Sequence, residues 1–324
     1  MKRELLVMKH GNVKRGFYQG DQSYELKDKG KRNAQRIGVW LESNNLIPDY
    51  VICSNAEYAQ ISAEKTCKAA GTNMNIIQTQ EYSYAANEEE IISLIKNSPE
   101  NISRILLMGH NPTLEFVLSV LSSENTPKTK KGKVLSPAAL VYFAIDCEWS
   151  EISVHCAELL EIVYPKKLPE LFPFPDINGD EWRIRPAYYY KQSCVIPYRM
   201  KNDQVEVLII SSSTNKHWVV PKGIHEPGLT AQESASKEAY EEAGVKGEVY
   251  EKEIGHYDYK KWKASCSVSV FVMKVIDILN DEQWQEPNRR RQWVDVKEAA
   301  ELIHNSELAK IVSTVPDYLE KFAA

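Results

Sequence analysis

The sequence contains no C-x-x-C pair, no apolar run of membrane-spanning length, no internal repeat, no low-complexity tract and no excess of positive charge. Each absence removes a class of function. A helix needs about 20 consecutive, mostly apolar residues to cross a bilayer, and no stretch approaches that, so no membrane partner is expected. The opening MKRELLVMKHG passes directly into a strand-like segment; no export signal is read, and a cytoplasmic location is expected. The six cysteines, Cys53, Cys67, Cys147, Cys156, Cys194 and Cys266, are scattered through apolar segments without metal-ligand spacing. That pattern favours reduced core thiols over a disulfide framework or a zinc site. A formal net charge of −5 argues against a general nucleic-acid binder, although a local basic site is compatible with it.

What is present suits a soluble globular chain: 324 residues, 43% hydrophobic and 26% charged, are enough for two domains with a core each. Up to about residue 165, short apolar runs alternate with amphipathic stretches: ELLVMKH, 26–42, YVICS, 56–70, NIIQT, 88–95, ISRILLMGH, 113–121, ALVYFAI and EISVHCAEL. Strands alternating with helical patterns predict a three-layer α/β/α domain with a mostly parallel sheet over 1–165. The proline-rich span 166–185, with an Asn-Gly turn signal, is read as a linker. Over 186–324 the segments YYYKQSCVIPYR, VEVLIISS, HWVVP, GEVYEKEIGHYDY and CSVSVFVMKVIDIL read as strands, and VKEAAELIH and 309–321 as helices. That predicts an α+β domain with a mixed sheet.

The second half carries an unusual acidic cluster. In PKGIHEPGLTAQESASKEAYEEAGV, residues 221–245, Thr230-x-x-Glu233 has the form of a capping box, and Gly244 suits the position just past a helix end. A helix over about 231–243 is predicted, with Glu238, Glu241 and Glu242 on one face by their spacing of three and four. Like charges there repel, and the negative end of the helix dipole disfavours each of them further. A divalent cation reverses the sign of every one of those terms, and Mg²⁺ takes carboxylate oxygens together with substrate phosphates. A solvated helix face is the competing reading of E-x-x-E-E.

Gly223-x5-Leu229-x7-Lys237-Glu238-Ala239-x-Glu241-Glu242-x-Gly244-Val245 resembles the Nudix box, G-x5-E-x7-R-E-U-x-E-E-x-G-U with U apolar. The spacing matches throughout; Leu229 and Lys237 stand where the box has Glu and Arg, a pair that supports itself in the family. Glu233, four residues before Lys237, is the expected substitute partner. WVVPKG, YEEAGVKG and VIDILNDEQWQEPNRRRQWVDVKEA lean toward the diphosphoinositol polyphosphate and dinucleoside polyphosphate hydrolases of that family. The resemblance implies a Nudix fold over 186–324 and hydrolysis of a pyrophosphate bond with Mg²⁺ or Mn²⁺ held by Glu238, Glu241 and Glu242. A further carboxylate, Glu286 or Glu282, would complete the metal site or act as base. Lys222 and the triplet Arg289, Arg290 and Arg291 are the expected substrate cations, since such substrates are highly anionic; a solvated basic loop is the alternative. Trp218, Tyr257, Tyr259 and Trp262 are candidates to stack on a base, or else core aromatics. The partner expected is a small phosphorylated molecule, with no nucleic acid.

In the first half, LLVMKHGN and ILLMGHNPTLE place His10 and His110 at the carboxyl ends of two predicted strands, the edge where open α/β sheets bind ligands. Gly11 and Gly109 beside them allow close backbone approach. These segments, with LKDKGKRNAQRIGVWL and VICSNAEYAQISAEKT, resemble the phosphohistidine-phosphatase branch of the histidine phosphatase superfamily. The resemblance implies that His10 is the phosphorylated nucleophile and that His110 helps bind the phosphoryl group. Three family arginines are replaced, by Lys9, Tyr24 and Tyr58. Neither amine nor phenol grips phosphoryl oxygens as a guanidinium fork does, so this half is expected to be impaired as a phosphatase, with Lys9 as its substrate cation and Lys14 or Arg15 as possible substitutes. The leading expectation is therefore a Nudix pyrophosphohydrolase with an appended phosphatase-like domain. Two alternatives stand beside it: a phosphatase acting through His10 with the Nudix half as sensor, and a non-catalytic phosphate-binding module in the first half.

Overall fold

The structure, a computed structural model, describes residues 3–14, 24–80, 88–122, 132, 135–175 and 181–322. The chain divides into two compact units, Met1–Phe172 and Pro173–Ala324.

The first unit is built on β1 (Arg3–Lys9), α1 (Asp28–Ser43), β2 (Tyr50–Ser54), α2 (Glu57–Ala69), β3 (Ile77–Gln80), α3 (Glu88–Lys96), β4 (Arg104–Gly109), α4 (Thr113–Leu121), β5 (Leu140–Ile145) and β6 (Ala157–Val163). Its sheet runs β3-β2-β4-β1-β5-β6. The first four strands are mutually parallel, and β5 and β6 add antiparallel strands at one edge. Both faces are covered, which explains why these strands read as unbroken apolar runs. Alternate residues of β1 go to opposite cores: Leu5 and Val7 join α3 and α4, while Leu6 and Met8 join α1 and α2. The parallel pairing Lys9↔Gly109 brings the ends of β1 and β4 side by side, so His10 and His110 leave the sheet at the same edge.

The proline-rich stretch after β6 is partly docked rather than a plain connector. Arg36 donates to the carbonyls of Leu168 and Pro169, and Arg32 donates to Glu170 O at 2.8 Å. Two guanidinium groups on α1 thus satisfy carbonyls of a segment with few regular backbone partners. The Asn-Gly pair at 178–179 lies outside the described residues.

The second unit comprises β7 (Lys191–Lys201), β8 (Gln204–Ser211), β9 (Trp218–Val219), β10 (Lys222–Ile224), α5 (Ala231–Glu238), β11 (Val245–Val249), β12 (Gly255–Lys261), β13 (Ala264–Ile278), β14 (Arg291–Asp295), α6 (Val296–Leu302), α7 (Ser306–Ser313) and α8 (Val315–Phe322). The mixed sheet is ordered β9-β8-β7-β13-β11, with β10 on β7, β12 on β13 and β14 on β8. β7 and β13 run parallel down its centre. One face packs under α6, α7 and α8; the other packs under α5 through Val195, Leu208, Ile210, Phe271 and Met273. The helix meets that face with Ala235, Ala239 and Ala243, whose small side chains let it lie close to the sheet.

Candidate active site

The acidic cluster begins at the end of α5. Thr230 caps the helix through its side chain to Glu233 N, and Glu233 returns a carboxylate to Thr230 N, completing the capping box. α5 does not run on to Ala243 as an α-helix. From Ala239 to Ala243 it widens into a π turn, and Gly244, at φ +63°, closes it with its N–H on Ala239 O. In a regular α-helix each fourth residue drifts by about 40°; one wide turn cancels that drift and keeps Ala243 in line with Ala235 and Ala239. The three carboxylates of this stretch differ in their surroundings, while Glu241 and Glu242 both repel Glu238. Glu242 is buried to 14% exposure, while Glu241, at 31%, has Lys237 Nζ as its nearest cation at 3.9 Å. Wide turns of this kind recur at functional sites.

Glu238 lies over Gly223. A Cβ built on Gly223 would land on the carboxylate, 2.5 Å from Oε2 and nearer still to Oε1. Only glycine leaves room there. Among the described residues Glu238 makes no hydrogen bond and no ion pair. Burial, followed by repulsion from Glu242, Glu241 and Glu226, pushes its carboxyl up to about 8. Glu242 is also raised by burial, offset by the Lys222 backbone N–H at 3.0 Å and by its ion pair with Arg289. Among the described residues no three His, Cys, Asp or Glu side chains converge as a finished metal cage. The donor chemistry nonetheless fits a hard divalent cation: carboxylate oxygens, one of them buried without an ion pair among the described residues, facing like charges. Glu238, Glu242 and Glu241 are the residues that would hold it.

Several expected roles are redistributed. Lys237 pairs with Glu226 Oε1 at 2.9 Å rather than with Glu233, whose carboxylate is committed to the cap. Glu226 also donates its backbone N–H to Ser234 Oγ at 3.1 Å, which fixes the loop ahead of α5. The arginine triplet does not act as one. Arg289, at 10% exposure, bridges Glu242 and Glu286 and donates to Ser211 O. Arg291 donates to the carbonyls of Ala243, Gly244 and Leu279 and stacks on Trp284 at 4.5 Å, so it caps the π turn instead of facing solvent. Arg290, just ahead of β14, is exposed and lies over the Trp218 ring at 5.1 Å. Glu286 therefore sits one guanidinium away from Glu242, whereas Glu282 is exposed.

Lys222 does not simply project at the acids. Its ammonium is buried against Gln192 Oε1 (2.7 Å) and Tyr259 Oη (2.8 Å), and burial lowers its pKa. Tyr257 is a core residue at 5% exposure; Trp262 sits in the two-residue turn between β12 and β13.

In the first unit, His10 and His110 are buried at 9% and 4% exposure. His10 Nδ1 lies 2.7 Å from Gly11 O. A carbonyl can only accept, so Nδ1 carries the proton and Nε2 keeps its lone pair. Burial is the main reason its pKa falls to about 4; Lys9 and His110 push the same way. The Tyr58 ring lies 4.5 Å from the His10 ring, and Tyr24 lies 6.3 Å beyond it. Gly11 packs directly on Gly30, with its N–H on Ser62 Oγ at 3.0 Å. Phenol rings thus lie beside His10 at two of the positions where the resemblance expects guanidinium groups. Lys14 is exposed on a two-residue strand paired with Glu25 and Leu26, and Arg15 lies outside the described residues.

A family model, the NUDIX domain, matches residues 191–315. Nudix hydrolase 12, mitochondrial, of Arabidopsis thaliana is 39% identical over 129 residues, covering 33% of this chain and 63% of that protein. Nudix hydrolase 4 of the same plant is 34% identical over 153 residues, 44% of this chain and 73% of that one. Diphosphoinositol polyphosphate phosphohydrolase 3-alpha of Mus musculus is 28% identical over 121 residues, 36% and 71% of the two chains. The chain thus spans about two thirds of the length of the curated relatives it matches. Among solved structures, the protein histidine phosphatase SixA complexed with tungstate covers 51% of this chain with 98% of its own, at 13% identity and a TM-score of 0.42. The C. elegans Ap4A hydrolase binary complex covers 41% with 99% of its own, at 20% identity and a TM-score of 0.35.

Proposed function

Since the chain belongs to the Nudix hydrolase family through its second unit, we propose that it is a Mg²⁺- or Mn²⁺-dependent pyrophosphohydrolase of a polyphosphorylated small molecule. The observation that carries the reading is Glu238: a buried carboxylate seated on a glycine and crowded by further acids, with only the longer-range pull of Lys237 and Lys222 against burial and repulsion. A divalent ion held by Glu238, Glu241 and Glu242 would polarise the phosphate and supply a water of lowered pKa. The protein's own groups do the positioning. Arg289 and the Lys222 N–H orient Glu242, the Glu226–Lys237 pair ties the loop ahead of α5 to the helix's last turn, and Arg291 fixes the end of the π turn. Glu286, tied to the same guanidinium as Glu242, is the outer carboxylate best placed to serve as base. Arg290 over Trp218 is the exposed cation of the site and meets the far phosphates or a base.

The substrate class we favour is a dinucleoside polyphosphate or an inositol pyrophosphate, in keeping with the mouse relative's printed activity. Six free thiols suit a reducing compartment such as the cytoplasm. The test is a hydrolysis screen over diadenosine polyphosphates, ADP-ribose and inositol pyrophosphates with and without Mg²⁺. Metal-dependent turnover should fall at least about 100-fold in Glu242→Gln, as for loss of a principal electrostatic group; unchanged turnover ends the reading.

For the first unit, the neutral His10 with its free Nε2 lone pair supports retained phosphate chemistry, but Tyr58 and Tyr24 in place of guanidinium groups favour an impaired phosphatase or a binding module. Incubation with phosphoramidate should leave no phosphate on His10 by mass spectrometry.

A further inference from the structure

Ser193 lies in β7 with 0% exposure, and its Oγ has no hydrogen-bond partner among the described residues. A serine inside a strand ordinarily spends its hydroxyl on a nearby backbone group. Here it does not, and the neighbour on the same face, Val195, belongs to the apolar core under α5. Alanine would fit such a position without leaving a polar atom unsatisfied, so the hydroxyl calls for a use.

The sheet register supplies one. Ser193 pairs directly with Gly223. Directly paired residues project to the same face, with Cβ positions about 4.5–5.5 Å apart. The side-chain position of Gly223 is the place taken by the Glu238 carboxylate. The hydroxyl and the carboxylate therefore share one face of the sheet as neighbours, and neither has a hydrogen bond among the described residues.

We propose that Ser193 is a positioning residue for the acidic cluster: its hydroxyl donates to the Glu238 carboxylate and holds it in the orientation that cation binding requires. The inference rests on the reading of Glu238 as a cation ligand. A hydroxyl is suited to the task because it supplies a donor without supplying a charge. A lysine or arginine there would neutralise Glu238 and compete with the metal, as Arg289 does for Glu242. Serine leaves the negative charge available and removes its rotational freedom.

The experiment is Mn²⁺ binding to the full-length protein without substrate, followed by electron paramagnetic resonance of free Mn²⁺, together with thermal unfolding in EDTA. Ser193→Ala should raise the Mn²⁺ Kd about tenfold, the usual effect of losing a group that orients a ligand. Its Tm in EDTA should fall by no more than a few degrees, about the scale of one lost hydrogen bond. A merely structural serine gives a lower Tm with an unchanged Kd, and that result overturns the proposal. Ser193→Cys, close in volume but a weak donor, should also weaken binding and gives the same comparison if the alanine variant does not fold. If the wild-type protein binds no Mn²⁺, the cation reading of Glu238 falls and this proposal falls with it. If the wild type binds and Ser193→Ala binds equally well, only the role of Ser193 is lost.

Discussion

Glu238 is the residue on which folding and function pull in opposite directions. Its carboxyl is raised to about 8 in the folded protein, from an ordinary value near 4.5. A raised acid contributes stability that is complete below its unfolded pKa and is lost as pH climbs through the folded one. For Glu238 that window runs from about 4.5 to about 8, and by pH 7 the loss amounts to about 3 kcal/mol at most. Glu238→Gln removes the titration. In EDTA the variant should match the wild type near pH 4.5 and become progressively more stable than it up to pH 8, as measured by urea unfolding across that range. Parallel pH curves for the two proteins would show that the carboxylate is not strained. Adding Mn²⁺ should stabilise the wild type and leave the variant unmoved, because the metal gains only where the charge is present.

At the scale of elements, the sequence pattern was a good guide wherever burial alone decides structure. YVICS is β2 from end to end, residues 113–121 are α4, and the capping box at Thr230 starts α5 as its residues imply. The unmatched features are those that depend on a partner distant in the chain. The π turn follows from docking three alanines in line on a sheet, a demand that the local sequence of α5 does not display. The Glu226–Lys237 pair joins residues eleven apart, from the loop ahead of α5 to its last turn, so helix spacing pointed to Glu233 instead. The triplet 289–291 reads as a basic loop because Arg289 and Arg291 are spent on carbonyls and carboxylates, which charge counting cannot see. Gly223 shows how much the cluster depends on these elements together. A methyl at that position meets the Glu238 carboxylate, and β10 is pinned by its pairing with β7 and cannot retreat. Gly223→Ala should therefore cost at least about tenfold in Mn²⁺ affinity, the scale of a displaced ligand. Its circular dichroism should remain native, since the carboxylate swings outward. Native metal affinity in this variant would mean that Glu238 is not held over the glycine in the working protein.

At the scale of the whole molecule, the cores keep to their units: two clusters of buried residues fall within the first and two within the second. Each unit also carries its own titratable reporter. In the first, His10 is lowered to about 4 from 6.5. Between those values the unfolded chain binds a proton that the folded unit refuses, so stability present above about pH 6.5 drains away as pH falls toward 4, by about 3 kcal/mol at most. In the second, a divalent ion at a hundred times its Kd adds about 2.7 kcal/mol. Scanning calorimetry of the full chain should thus show one unfolding transition that acid lowers between pH 6.5 and 4, and another that Mn²⁺ raises. His10→Gln should flatten the acid response of the first while leaving the Mn²⁺ response of the second intact. Glu238→Gln should do the converse. A single transition moved by both substitutions would show that the two units unfold as one cooperative body and would overturn the pairing of one reporter with each unit.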